Sequence, residues 1–387
     1  MTATQTTETP TDTTTSDIDF YTPPALGEHH QPGEILRLRP APTPGLPGAG
    51  SAWQVLYVSR NTCSVSPVPV SGIVITPAGP VDELAPILLY YPAFHGLGGD
   101  CAPSQRLAAG DEPDTAQISA ALARGWRVAV VDGEGLGVRG QGPHTFLAGR
   151  AAGQVMLDLG RAAARIPAMH AAHAPVVAWG YADGARAAMW AGELQPRYAP
   201  ELNLRGLAAG AVITDPKQFL RKADQGSWPA LGLAGLVGLS HAYGHIPLRH
   251  VFNLEVRNAL LPAIEEASVD MLCARYQHRL VTWCDRTVWK DPMWQHVFEH
   301  EHTDADLVPA VPVHLYHGIT DAIVPIAFGR KLFRRYRAGG VRVSWRQYEA
   351  DHSRTRTQAI EDVLDRLINT LTTGPSGSPA TTRTARP

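Results

Sequence analysis

The sequence predicts an α/β fold: a mostly parallel central sheet flanked by helices, with a helical insertion. Three observations lead there. Strand-like and helix-like segments alternate from about residue 53 onwards. The strand candidates are continuous apolar runs, the mark of strands buried on both faces. The alternation then stops near residue 214 and resumes near residue 307, which brackets an insertion.

Each element can be justified in order. The stretches 53–60 (WQVLYVSR) and 70–77 (VSGIVITP) are rich in Val, Ile and Tyr and are flanked by Pro and Gly, so both read as strands. PILLYYPA, 86–93, is a buried strand. Asp114 can cap a helix that Gly125 ends, and WRVAVV is the next strand. Residues 148–166 form a long helix, and APVVAWG a further strand. Late in the chain, 311–318 is a strand and IAFGRKLFRRYRAGG a helix. VRVSWRQYEA is the last strand, and TQAIEDVLDRLINTL the closing helix. Between them, ALGLAGLVGLSHAYG is apolar and Gly-rich, and NLEVRNALLPAIEEASVDMLCARYQHRL reads as amphipathic helix. The expected organisation is a disordered tail over 1–18, a core over 19–213, a helical lid over 214–306, the rest of the core over 307–372 and a disordered tail over 373–387.

Composition narrows the class. The chain has 387 residues, 44% apolar and 18% charged, with a formal net charge of −2. That charge offers no field for nucleic acid or an anionic membrane. No run reaches the ~18 apolar residues of a transmembrane helix. The Thr-rich N-terminus lacks the basic start and apolar middle of a signal peptide, which fits either a cytoplasmic protein or a chain without its signal. Cys63, Cys101, Cys273 and Cys284 read equally as buried thiols or as a disulfide, and a bridge from Cys101 to Cys273 or Cys284 would tie core to insertion.

The chemistry is suggested by VVAWGYADGARAAMW, 176–190. The nucleophile turn of an α/β-hydrolase is G-x-S-x-G between a strand and a helix. Here Gly180 and Gly184 frame Ala182, and small residues line the turn. A hydroxyl nucleophile needs a His to take its proton and a carboxylate to orient that His. Asp321 in HLYHGITDAIVP and His352 in WRQYEADHSRT each follow a strand, in hydrolase order. Either alone would be an ordinary cap or loop residue; the joint order is the signal. An oxyanion hole would use the N–H of Asp183 and the Gly-rich loop around His95 and Gly96. Ser104, Ser227, Ser240 and Thr145 lack a strand-to-helix turn and do not replace the missing nucleophile. His296, His300 and His302 read as a solvated helix face rather than metal ligands.

HGLGGDCAPS, DGEGLG…GPHTF, GYADG, HGITDAIVP and ADH together resemble the secretory lipase family, the Candida antarctica lipase A-like group, over about residues 19–370. The resemblance implies an α/β-hydrolase core with a helical lid, action on carboxylic esters, no cofactor, and secretion. It implies a serine at the position of Ala182, the acid at Asp321 and the base at His352. It also implies that Asp100 helps form the oxyanion hole. The expected partner is a small ester or acyl substrate.

Two explanations fit Ala182. A parental serine was replaced to hold substrate uncleaved, or the chain is a natural non-hydrolytic homologue, a ligand-binding protein, cyclase or acyl-transfer enzyme. The unaltered Asp321, His352 and glycine loop favour the first.

Overall fold

In a computed structural model, residues 20–62, 66–244, 246, 248–302 and 307–372 are described. Both tails and Cys63 lie outside them. The sheet has nine strands: β1 (Ile35–Pro40), β2 (Ala49–Arg60), β3 (Pro67–Pro77), β4 (Ile87–Tyr91), β5 (Arg127–Val131), β6 (Val176–Tyr181), β7 (Leu204–Gly210), β8 (Val313–Gly318) and β9 (Val343–Tyr348). Their order is β1-β2-β3-β5-β4-β6-β7-β8-β9. The first three pair antiparallel, as does β3 with β5; from β5 to β9 every pairing is parallel. The predicted fold class is observed.

The reason the central strands are apolar throughout is visible in the packing. Leu88 and Tyr90 enter one core, while Leu89 and Tyr91 enter the other. Val128 and Val130 likewise part from Ala129 and Val131. One face is covered by α1 (Pro103–Ala109) and α2 (Thr115–Ala123). The other is covered by α3 (Gly149–Arg165) and α4 (Asp183–Tyr198). Asp114 precedes α2, but its carboxylate does not cap the helix. It accepts from the Tyr90 hydroxyl at 2.8 Å and pairs with Arg356 at 2.8 Å.

The chain between β7 and β8 forms helices and no sheet strand among the described residues. They include α5 (Pro216–Gln225), α6 (Pro229–Ala242), α7 (Val269–Arg275) and α8 (Pro292–His300). The single amphipathic helix expected over 253–280 is instead broken into short pieces. Pro262 lies in this stretch, and Ser268 starts α7 afresh by accepting the Met271 N–H on its side chain. Cys101, Cys273 and Cys284 are all free thiols, so the bridge from core to insertion does not form. The chain returns through α9 (Ile326–Ala338), α10 (His352–Gln358) and α11 (Ile360–Thr372). No helix among the described residues is long and apolar enough to cross a membrane.

Around the turn from β6 to α4 the backbone packs so tightly that two positions exclude any side chain. A Cβ on Gly184 would sit 2.0 Å from the Tyr91 carbonyl oxygen, and one on Gly180 would sit 2.1 Å from that of Gly184. Both obstacles are backbone, which cannot swing aside. Gly184→Ala is therefore expected to cost about 3 kcal/mol, read as a lowered midpoint in urea unfolding.

Candidate active site

Ala182 is the apex of that turn, with φ 53° and ψ −108°. Only four non-glycine residues among those described have positive φ. Such a backbone stores roughly 1–3 kcal/mol, and it persists only where the surroundings hold it. They do: the Ala182 N–H donates to the Gly210 carbonyl at 2.9 Å, and its own carbonyl accepts the Arg186 N–H at 3.1 Å.

Ala182 borders a cavity of ≈ 400 Å³. Phe94, Phe146, Ile213, Phe219, Leu231 and Ile323 supply its apolar wall. His95, Asp183, His352, Arg106 and Arg356 are the main polar groups on it. An apolar cleft with a few convergent polar groups is the usual form of a small-molecule site.

His352 begins α10, just after β9. Its Nδ1 lies 2.7 Å from Asp321 Oδ2, and its Nε2 has no hydrogen-bond partner among the described residues. The Tyr181 hydroxyl donates to the His352 carbonyl at 2.7 Å, which ties this loop to the end of β6. Asp321 is fully buried behind the imidazole. Its Oδ1 accepts the N–H groups of Ile323 and Val324 at 2.9 and 2.8 Å. Burial pushes this carboxyl up. The His352 hydrogen bond and charge, the Val324 N–H and His317 together outweigh that and hold it below the ordinary carboxylate range. A carboxylate fixed on Nδ1 leaves Nε2 as the basic nitrogen toward the cavity.

Asp183, the first residue of α4, is 4% exposed and lines the cavity. Its carboxyl is pushed up to about 7 by burial, against Arg186 and the Leu147 N–H, which lower it; Glu301 adds to the rise. Behind it, His144 Nε2 lies 3.9 Å from Asp183 Oδ2, and burial lowers that imidazole to about 4. A carboxyl raised from its usual range resists ionisation in the fold but not in the unfolded chain. It therefore subtracts stability as pH rises from about 4 to about 7. Asp183→Asn removes the titration and keeps an acceptor for Leu147. The variant is expected to gain on the order of 2 kcal/mol over the unaltered chain between pH 5 and pH 8, checked by thermal melts at both values.

The remaining predicted site residues divide. His95 lines the cavity. Gly96 does not: it sits behind, bridged to Ser268, and the space of its missing Cβ is occupied by Ala267, Ser268 and Cys101. Asp100 is exposed and borders a separate depression with Tyr21, Gly137 and Glu266, so its carboxylate does not reach this cavity. Ala93 and Phe94 line the wall instead, directly after β4, and neither N–H has a partner among the described residues. Sequence reasoning missed Arg106, Arg356 and Glu112. It also missed Ser268 and Ser353, which border the cavity; Ser353 is the second residue of α10, and neither has the positive φ of the turn at Ala182. Ser240 is held instead by the Ile246 carbonyl at 2.6 Å, and Ser104 by Asp132 at 2.6 Å. The His296 and His300 rings lie 3.9 Å apart between centroids, tilted by 53°, and among the described residues no cluster of three His, Cys, Asp or Glu side chains could hold a metal ion.

Comparison with known proteins places this geometry. The family model described as "Secretory lipase" matches residues 103–372. A protein of Mycobacterium tuberculosis named a probable inactive lipase is 28% identical, over 85% of this chain and 76% of its own. Lipase A of Arthroderma benhamiae is 27% identical, over 86% and 74%. Among solved structures, the closed state of Candida antarctica lipase A superposes with a TM-score of 0.81 at 24% identity, over 91% of this chain and 85% of that one.

Proposed function

Because the chain belongs to the secretory lipase family, we propose that its cavity binds a carboxylic ester and that Ala182 stands where the family's mechanism places the acyl-accepting serine. The observation that carries this is the pairing of His352 with Asp321 at 2.7 Å on the cavity that also holds the strained turn at Ala182. In this reading His352 is the general base and later the acid, and Asp321 orients it. The Asp183 N–H and the chain after β4 meet the carbonyl oxygen. The oxyanion role passes from Asp100 and Gly96 to the segment Ala93–His95, which borders the cavity. Residues 214–306 act as the lid. Phe219 and Leu231 present an apolar surface to the cavity, suited to the acyl chain. With no hydroxyl at Ala182, the acyl-enzyme route is closed and the ester is held rather than cleaved by that route, as a serine-to-alanine substrate trap would hold it.

One observation favours the alternative of a natural non-hydrolytic homologue: a relative is itself named an inactive lipase. The test installs the hydroxyl. Ala182→Ser, assayed with p-nitrophenyl butyrate beside the unaltered chain, should gain turnover. No gain, in a variant that melts like the unaltered chain, would favour the non-hydrolytic homologue.

A further inference from the structure

Two imidazoles face this cavity. His352 arrives from the loop after β9. His95 arrives from the loop after β4, on the other side of β6 in the sheet. His95 is 6% exposed, and its Nε2 lies 2.8 Å from Glu112 Oε1. The Glu112 side chain is fully buried. Its Oε1 also accepts the Asp114 N–H at 3.0 Å, while Oε2 is buried with no partner. Among the described residues His95 is the one cation-forming group paired with this carboxylate. A buried carboxylate with an orphaned oxygen is costly unless a counter-charge sits against it. The hydrogen bond with Glu112 engages Nε2 and leaves Nδ1 as the ring nitrogen available to the cavity. Nδ1 has no partner among the described residues, and His95 lines the cavity. The cavity is thus bordered by two unengaged ring nitrogens, His352 Nε2 and His95 Nδ1. Between β6 and α4 stands a methyl group where a hydroxyl would fill space.

We propose that the unaltered chain hydrolyses esters slowly by direct attack of water, with His352 as general base and the His95 side chain as oxyanion donor. This rests on the reading that the cavity takes a carboxylic ester. Water gives a proton to His352 Nε2 as its oxygen bonds to the carbonyl carbon. The carbonyl π pair moves onto oxygen, which His95 Nδ1–H meets with a hydrogen bond. The intermediate collapses, the bond to the alcohol oxygen breaks, and that oxygen takes the proton from His352. Ester and water become acid and alcohol, and both imidazoles return to their starting states. Glu112 is a positioning residue: its contact with Nε2 holds the His95 ring with Nδ1 toward the cavity.

The experiment is steady-state and quenched-flow hydrolysis of p-nitrophenyl butyrate by the unaltered chain, with intact-mass analysis of the quenched protein. Turnover about 10⁴-fold above buffer, with no burst and no acyl adduct, is expected. His95→Ala should lower kcat about 10²-fold with KM within threefold, and added imidazole should restore part of it. His95→Leu, closer in size and without a donor, guards against a folding failure and should show the same loss. Glu112→Gln should lower kcat about tenfold with KM unchanged, since removing a positioning shell typically costs on that order or more. Turnover at the buffer rate while Ala182→Ser is active would overturn this inference and leave the ester-binding reading standing. An acyl adduct on Ser268, Ser353 or any other residue would also overturn it, as would a folded His95 variant with unchanged kcat. If neither the unaltered chain nor Ala182→Ser turns over, the ester-binding reading falls and takes this inference with it.

Discussion

Ala182→Ser is expected to raise kcat for a short p-nitrophenyl ester by about 10⁴-fold or more over the unaltered chain. Removing the serine of a working triad costs on the order of 10⁶ in turnover, and the substitution runs that change backwards from whatever slower route remains. The backbone has no work left to do. Ala182 already sits at φ 53° and ψ −108°, so a serine there inherits the strained turn. Its Oγ would enter the cavity that Ala182 and His352 share, where His352 Nε2 lacks a partner and Asp321 secures the ring from behind. Ala182→Ser/His352→Ala is the control: activity that survives loss of the imidazole would not come from this site.

Asp183 limits the gain. Its carboxyl titrates near 7, and once ionised it places negative charge on the wall beside the developing oxyanion. Ala182→Ser/Asp183→Asn should therefore match Ala182→Ser below pH 6 and exceed it increasingly above pH 7. A pH profile of kcat for the two variants, taken side by side, reads this directly. A ratio that stays flat across that range would place the carboxyl too far from the reacting oxygen to matter.

How much of this was legible in the sequence depends on what each segment must pack against. β4, β5 and β6 were legible because both of their faces are buried, so every position is apolar. β7 was not, because LRGLAAG carries little hydrophobic signal. Its glycines are there for close approach: a Cβ on Gly206 would strike Thr370, and one on Gly210 would strike the Tyr316 ring. β1 is partly exposed and short, so its pattern is diluted. Asp321 could be read because it follows the clear apolar run of β8, whereas β9 before His352 is partly exposed and polar-rich, so His352 could be read from its order after Asp321. The His95–Glu112 pair could not: the two are joined by burial between the loop after β4 and the approach to α2, and 17 residues of separation carry no period that announces contact. Asp100 was misplaced for the opposite reason. A loop residue close in sequence to His95 turned onto a different surface depression.

Glu301→Ala is expected to destabilise the protein by about 3–5 kcal/mol, more than any surface substitution. Glu301 ends α8 and is fully buried. Its Oε2 accepts from Arg186 at 2.7 Å and from the Gly149 N–H at 2.8 Å, and its Oε1 accepts from the Tyr243 hydroxyl at 2.9 Å. Arg186 is 1% exposed and also donates to the carbonyls of Leu147 and Ile213, each at 3.0 Å. One carboxylate thus joins the start of α3, the helix that follows Ala182, and two parts of the chain between β7 and β8. Removing it strands a buried guanidinium, orphans a helix N–H and breaks the Tyr243 hydroxyl contact at once. The cost is mostly that of the stranded charge, and this can be separated. Glu301→Gln keeps acceptor oxygen but loses the charge, so it should recover only part of the stability. Arg186→Met/Glu301→Met removes both charges together, and it should be markedly less damaging than the two single changes summed. Chemical denaturation of the four proteins supplies the cycle. An additive result would mean that the pair does not hold these elements together, and that their association rests on apolar packing alone.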